Sequence, residues 1–170
     1  MIKPWNEPLP KIELDIFREL KDIEIVFDVG TRTSLDYLKI KPSAQYHLFE
    51  PYPKFYEWLH ETTKDMPNVF VNAYGLGDQV GLFGYYDWLQ AFRVFNKNKK
   101  DFLNVSTLDT YIKENNIKKI DFLKIDTEGW DHKVMLGGKE ALKITRYVQY
   151  ETWNEEENAI SKECLKDFEC

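Results

Sequence analysis

Four carboxylates stand where short, mostly apolar runs of this 170-residue chain end: Asp28, Glu50, Asp126 and Glu151. The runs before them, residues 23–27, 46–49, 121–125 and 146–150, read as strands, with Glu128 following closely on Asp126. Acids in such a row suit a ligand that carries positive charge or hydroxyl groups in need of acceptors. They suit a pyrophosphate poorly. That group favours bare backbone N–H groups in a G-x-G-x-x-G turn at a helix N-terminus. The loop after the first run, Asp28-Val29-Gly30-Thr31-Arg32-Thr33-Ser34, carries one glycine and opens on an acid. A dinucleotide is disfavoured on both counts. S-adenosylmethionine, which bears an ammonium and a sulfonium but no phosphate, fits better. Gly30 would let backbone approach its amino-acid end, and Glu50 would take the ribose hydroxyls.

The elements that must position these acids alternate in type. Helical spacing over residues 11–22 puts Ile12, Ile16, Phe17, Leu20 and Ile23 on one face, ahead of the first strand. Helices are expected near 33–39, over 54–64 with Phe55, Trp58 and Leu59 inward, and over 131–142 with Gly137-Gly138 as a weak point or close contact. A strand at 69–71 runs out into Asn72-Ala73-Tyr74-Gly75-Leu76-Gly77-Asp78. Residues 79–105 break the pattern and read as a β-hairpin or aromatic loop. Ser106-Thr107-Leu108-Asp109 reads as a capping box, with the Ser hydroxyl as cap and Asp109 reaching back. The last polar stretch, from Asn154, reads as helical. Strand–helix alternation predicts βαβ units in a mostly parallel sheet with helices on both faces. Ligands of such sheets bind beyond the carboxyl ends of the strands, where the order reverses.

Composition narrows the classes. With 23 Lys+Arg against 29 Asp+Glu, the net charge of −6 gives no basic field for nucleic acid. The run Lys97, Lys99, Lys100 reads as a solvated loop. Cys164 and Cys170 make no disulfide framework, no apolar leader opens the chain, and no stretch is long enough to span a bilayer. The expectation is one cytoplasmic domain over residues 1–170, binding neither membrane nor nucleic acid.

Several segments together resemble the FkbM family of SAM-dependent methyltransferases. They are Phe27-Asp28-Val29-Gly30, Phe49-Glu50-Pro51, Gly75-Leu76-Gly77-Asp78, Thr107-Leu108-Asp109, Leu123-Lys124-Ile125-Asp126-Thr127-Glu128-Gly129 and Gln149-Tyr150-Glu151, in the family's order over residues 25–151. The resemblance implies an α/β, Rossmann-like class I methyltransferase fold and O-methylation of sugars, lipids or small natural products. It implies that Asp28 and Gly30 line the methionine end of the cofactor, Glu50 the ribose, Gly77 and Asp78 the adenine, and Asp126 the methyl-transfer site. The chain departs from the family pattern at Ser34, where a second glycine is usual, and at Arg32, where a small polar residue is common. Arg32 would pair either with the cofactor carboxylate or with Asp28. The sequence stops about where the antiparallel strand pair that completes this fold would begin, and a sheet edge left open there would favour self-association.

For an alcohol acceptor, Asp126 and Glu128 are the candidate proton acceptors. The same pair could instead hold Mg²⁺, which is not expected, or form a plain structural turn. Lys124 reads as a strand-face residue. His132 reads as a helix-surface residue, with His47 and His60 having still less claim to chemistry. Tyr85, Tyr86, Trp88, Phe92 and Phe95, with Trp130 and Trp153, could line the acceptor or pack. Two readings follow: a SAM-dependent O-methyltransferase acting on a sugar or other small hydroxylated acceptor, or a SAM-binding accessory module without turnover.

Overall fold

The computed structural model describes residues 9–88, 91–94 and 102–168, with only the backbone described for 85–88 and 91–94. The chain begins with α1 (Lys11–Glu19) and then winds β1 (Ile25–Val29), α2 (Asp36–Ile40), β2 (Gln45–Phe49), α3 (Pro53–Thr63) and β3 (Val69–Asn72). Next come β4 (Gly75–Leu76), β5 (Gly81–Trp88), β6 (Ala91–Val94) and β7 (Phe102–Ser106). It closes with α4 (Leu108–Glu114), β8 (Ile120–Ile125), α5 (Asp131–Leu136), α6 (Lys139–Lys143), β9 (Thr145–Tyr150) and α7 (Glu155–Cys164).

Among the described residues, five strands form a sheet of order β3-β2-β1-β8-β9, every pair parallel. Strand alternation divides the core in two. Phe27, Val29, Phe49, Leu123 and Ile125 face Leu108, Tyr111, Val134, Met135 and Ala141, which belong to α4, α5 and α6. Val26, Tyr46, Leu48 and Phe122 face Phe17, Tyr37 and Leu59, from α1, α2 and α3. Helices therefore cover both faces, which is why β8 is buried along its whole length. The winding runs outward from β1 to β3 and then returns to β8 on the other side of β1. The gap between β1 and β8 is thus the point where strand order reverses.

Four expectations change. Residues 79–105 hold the expected hairpin, β5 with β6, but also β7, which pairs with β5 and β4 in a second sheet of order β4-β7-β5-β6. The helix expected over 131–142 is two helices, because Gly137 lies against the backbone of Gly77: a Cβ there would stand 1.9 Å from the Gly77 carbonyl oxygen. The cap of α4 is Thr107, whose hydroxyl accepts from the Thr110 N–H at 3.1 Å. Asp109 instead accepts from the N–H groups of Glu140 and Ala141, both at 2.9 Å, and so caps α6 across the fold. His47 is a core residue, 3 % exposed, with its Nδ1 2.6 Å from the Tyr111 hydroxyl. Asn154 caps α7, accepting from Glu157 N–H, and three glutamates fill that helix's first turn.

Candidate functional site

A cleft of about 600 Å³, open to solvent, lies over the carboxyl ends of β1, β2 and β8. Its floor is built from backbone. Gly30 N–H donates to the Phe49 carbonyl, Glu50 N–H to that of Asn72, and Asp126 N–H to that of Val29, each at 3.0 Å. Each loop therefore begins as a continuation of its strand. Gly30 has φ +78°, and a Cβ there would lie 1.9 Å from the Asp126 carbonyl oxygen. The loops after β1 and β8 touch at this point, and only glycine permits it.

Glu50 is 3 % exposed, and its two carboxylate oxygens accept the backbone N–H groups of Tyr52 at 2.9 Å and Arg32 at 2.7 Å. Burial pushes its carboxyl up to about 7, against those two hydrogen bonds and the nearby Arg32 and Lys124 charges, which lower it. Each oxygen accepts one of those hydrogen bonds and keeps further acceptor capacity, and Glu50 lines the cleft. Arg32 has left-handed backbone, φ 54°, as does Glu128, φ 56°, and their side chains pair at 3.2 Å. Arg32 thus has a carboxylate partner that the sequence did not suggest, Glu128, across the mouth. Asp126 lines the cleft and lies 3.4 Å from the Lys124 ammonium. The apolar wall comes from Phe55, Leu76, Val105 and Trp130, with Phe83 packed edge-on against Trp130.

Gly30, Arg32, Glu50, Asp126 and Glu128 are brought together as the sequence suggested. Asp28 is not. It sits inside β1, 5 % exposed, on the same side as Val26, and its carboxylate pairs with Lys124 at 3.1 Å. The acid that seemed to open the loop lies within β1, two residues before Gly30, and its carboxylate is spent on Lys124 beneath the cleft. Gly77 and Asp78 lie outside the lining as well. Gly77 packs behind Trp130, and Asp78 pairs with Lys133 of α5 at 3.1 Å.

Asp131 escaped the sequence reading, and Lys124, read there only as a strand-face residue, does more than that. Lys124, 3 % exposed, also donates to the Gly30 carbonyl at 3.0 Å and so holds both loops of the floor. A lysine inside an apolar strand was the signal. Asp131 accepts from the Thr127 N–H and hydroxyl and from the Glu151 N–H, tying the loop after β8 to the end of β9. It looks like an ordinary first-turn acid, and nothing in the sequence marked it. Trp153 is 46 % exposed and rests over Gly129 at the rim. Of the other aromatics, Tyr85, Tyr86, Trp88 and Phe92 have only their backbone described. Phe95, the run Lys97, Lys99, Lys100, and Cys170 lie outside the described residues.

A parallel sheet of this order, with its cleft at the reversal and a single-glycine loop after β1, defines a Rossmann-like α/β fold of the class I methyltransferase type. The chain belongs to the methyltransferase FkbM domain family, whose family model matches residues 28–163. Its relatives include the 2-O-methyltransferase NoeI of Sinorhizobium fredii (strain NBRC 101917 / NGR234), 22% identical over 176 residues, which cover 86% of this chain and 72% of NoeI. Among solved structures, an FkbM methyltransferase from Methylobacillus flagellatus KT is similar at a TM-score of 0.63 and 14% identity, over 87% of this chain and 39% of that one. The chain thus spans well under half of that protein. Precorrin-6y C5,15-methyltransferase from Geobacter metallireducens GS-15 shares the fold at a TM-score of 0.55 and 11% identity, over 98% of this chain and 76% of that one. Among the described residues, no helix is long and apolar enough to cross a membrane.

Proposed function

We propose that the chain binds S-adenosylmethionine in this cleft and transfers its methyl group to a hydroxyl of a sugar or other small hydroxylated acceptor. The observation that carries the reading is Glu50: a carboxylate buried at the end of the second strand, fixed by two backbone donors, with acceptor capacity left for a vicinal diol. The surrounding chemistry fits the rest of the cofactor. Gly30 and Asp126 form a floor without phosphate-binding character, and Phe55, Leu76, Val105 and Trp130 supply an apolar wall for a flat ring. The name of NoeI, a 2-O-methyltransferase, supports oxygen as the acceptor atom.

When bound, the cofactor supplies an electrophilic methyl group on a sulfonium. The protein's part is to hold an acceptor oxygen about 3 Å from that methyl, in line with the bond that breaks. Asp126 and Glu128 stand at the cleft floor and mouth to take the acceptor's proton. Each already has a cation beside it, Lys124 and Arg32, which lowers its need for a divalent ion. Trp130 and Trp153 offer faces against which a ring could pack.

The same ion pairs favour a second reading, in which both candidate bases are committed to cations and the chain binds without turnover. Two measurements, of binding and of methyl transfer, test the readings. In a thermal-shift titration, S-adenosylmethionine and S-adenosylhomocysteine at ~100 times Kd should each add about 2.7 kcal/mol, several degrees for a chain of this size, while NAD and ATP add nothing. Glu50→Ala should abolish the shift. Methyl transfer over a panel of hydroxylated acceptors would establish the enzyme; tight binding with no transfer would favour the second reading. Equal shifts in wild type and Glu50→Ala would sink the ribose assignment.

A further inference from the structure

Asp28, Lys124 and Asp126 form a line of three charges from the interior to the cleft. Asp28 and Lys124 are register partners on adjacent strands, so their side chains leave the sheet on the same face. The ammonium lies 3.1 Å from Asp28, 3.4 Å from Asp126 and 3.0 Å from the Gly30 carbonyl. Side-chain exposure falls from 26% at Asp126 to 7% at Asp28 and 4% at Lys124. A ligand in the cleft can therefore meet Asp126 but neither of the other two. Asp28 Oδ1 makes no hydrogen bond among the described residues; the ion pair is its contact with Lys124.

A buried lysine needs a counterion, because an isolated ammonium away from water loses its hydration without compensation. With Asp28 in place, Lys124 is neutralised from the interior, and the cluster carries one net negative charge, on the carboxylate that faces the cleft. Without Asp28, the ammonium would have Asp126 as its remaining carboxylate partner, and the cluster would be neutral where a cationic ligand sits. We infer that Asp28 is a positioning residue for charge: it satisfies Lys124 so that Asp126 presents an uncompensated carboxylate to the sulfonium of the methyl donor. Asp28 thus acts on the cofactor through two other side chains and not by lining its methionine end. The inference rests on the S-adenosylmethionine reading above and adds a cause for preferring the charged donor over its product.

That preference is the readout. S-adenosylmethionine and S-adenosylhomocysteine differ by the methyl and by one positive charge at sulfur. Isothermal titration of the wild type with each gives the ratio of their Kd values. Asp28→Asn keeps the shape and an acceptor for Lys124 while removing the charge. It should weaken S-adenosylmethionine roughly tenfold more than S-adenosylhomocysteine, the size expected of one charge acting over several ångströms in a partly screened site. The double variant Asp28→Asn/Lys124→Met removes the buried pair as a unit and should restore the wild-type ratio. Equal weakening of both ligands by Asp28→Asn would overturn the inference, since a purely structural role acts on both alike. Were Asp28→Asn unable to fold, a double variant whose ratio departs from wild type would overturn it too. A wild type that binds neither ligand would refute the cofactor reading, and this inference with it.

Discussion

His47 lies on β2, two positions before its end, and Glu50 just past that end, and the two respond to pH in opposite senses. Burial raises the Glu50 carboxyl to about 7 from an ordinary value of 4.5. Its stabilising contribution is therefore complete below about pH 4.5 and lost as pH rises through 7. Burial lowers the His47 imidazole to about 4 from 6.5, so its contribution is complete above 6.5 and lost as pH falls toward 4. Between pH 5 and 8 each amounts to about 2 kcal/mol, and the two nearly cancel. Single variants should expose them. Relative to wild type, His47→Gln should gain stability on acidification from pH 8 to 5, and Glu50→Gln should gain it on going from pH 5 to 8. In each case the relative shift should be about 4–8 °C in Tm, measured by calorimetry across the range. Parallel Tm curves for all three proteins would contradict the assignment. Glu50 was legible as a candidate-site residue because a carboxylate just past an apolar strand of a parallel sheet falls at the end where the cleft lies. His47 was not, because its role depends on Tyr111, distant in sequence, and on a face of β2 that only the sheet order defines.

At the scale of elements, most strands and helices followed from periodicity, since apolar spacing reports burial directly. The exceptions are where tertiary contacts decide. Residues 106–109 show the limit well: the capping pattern was visible, but which side chain caps which helix was not. Asp109 serves α6 because the turn at Gly137-Gly138 brings that helix's first N–H groups within reach. β7 was hidden for a similar reason, as Phe102–Ser106 alternates buried and exposed only once β4 and β5 flank it. Two substitutions test this junction. Asp109→Ala should cost about 1 kcal/mol, the usual loss of a helix cap. Gly137→Ala should cost more, about 2–3 kcal/mol, because the added methyl meets backbone that cannot turn aside. Chemical denaturation should rank them in that order. The reverse ranking would mean that the contact with Gly77 relaxes at little cost.

At the scale of the molecule, the sheet order explains why so much of the site could be read and why part of it could not. Residues just past a strand end must lie near the cleft, so Gly30, Glu50, Asp126 and Glu128 fell into place from position alone. Asp28 lies two residues before Gly30, still within β1, and its carboxylate is buried against Lys124 short of the cleft. Gly77 and Asp78 come just after the two β4 residues that line the cleft; Gly77 packs against Trp130 and Asp78 pairs with Lys133 of α5. The floor of the cleft also differs in kind from its mouth. Three amides, those of Gly30, Glu50 and Asp126, extend the ladders of the central sheet, whereas Arg32 and Glu128 meet through side chains held on left-handed backbone. Hydrogen–deuterium exchange should register this. The floor amides should be among the slowest to exchange in the free protein, and ligand should change them little. Slowing on binding should concentrate at residues 31–34 and 127–129. A site assembled in this way would meet its ligand with half its geometry already fixed, leaving only the lip of the cleft to be ordered on arrival.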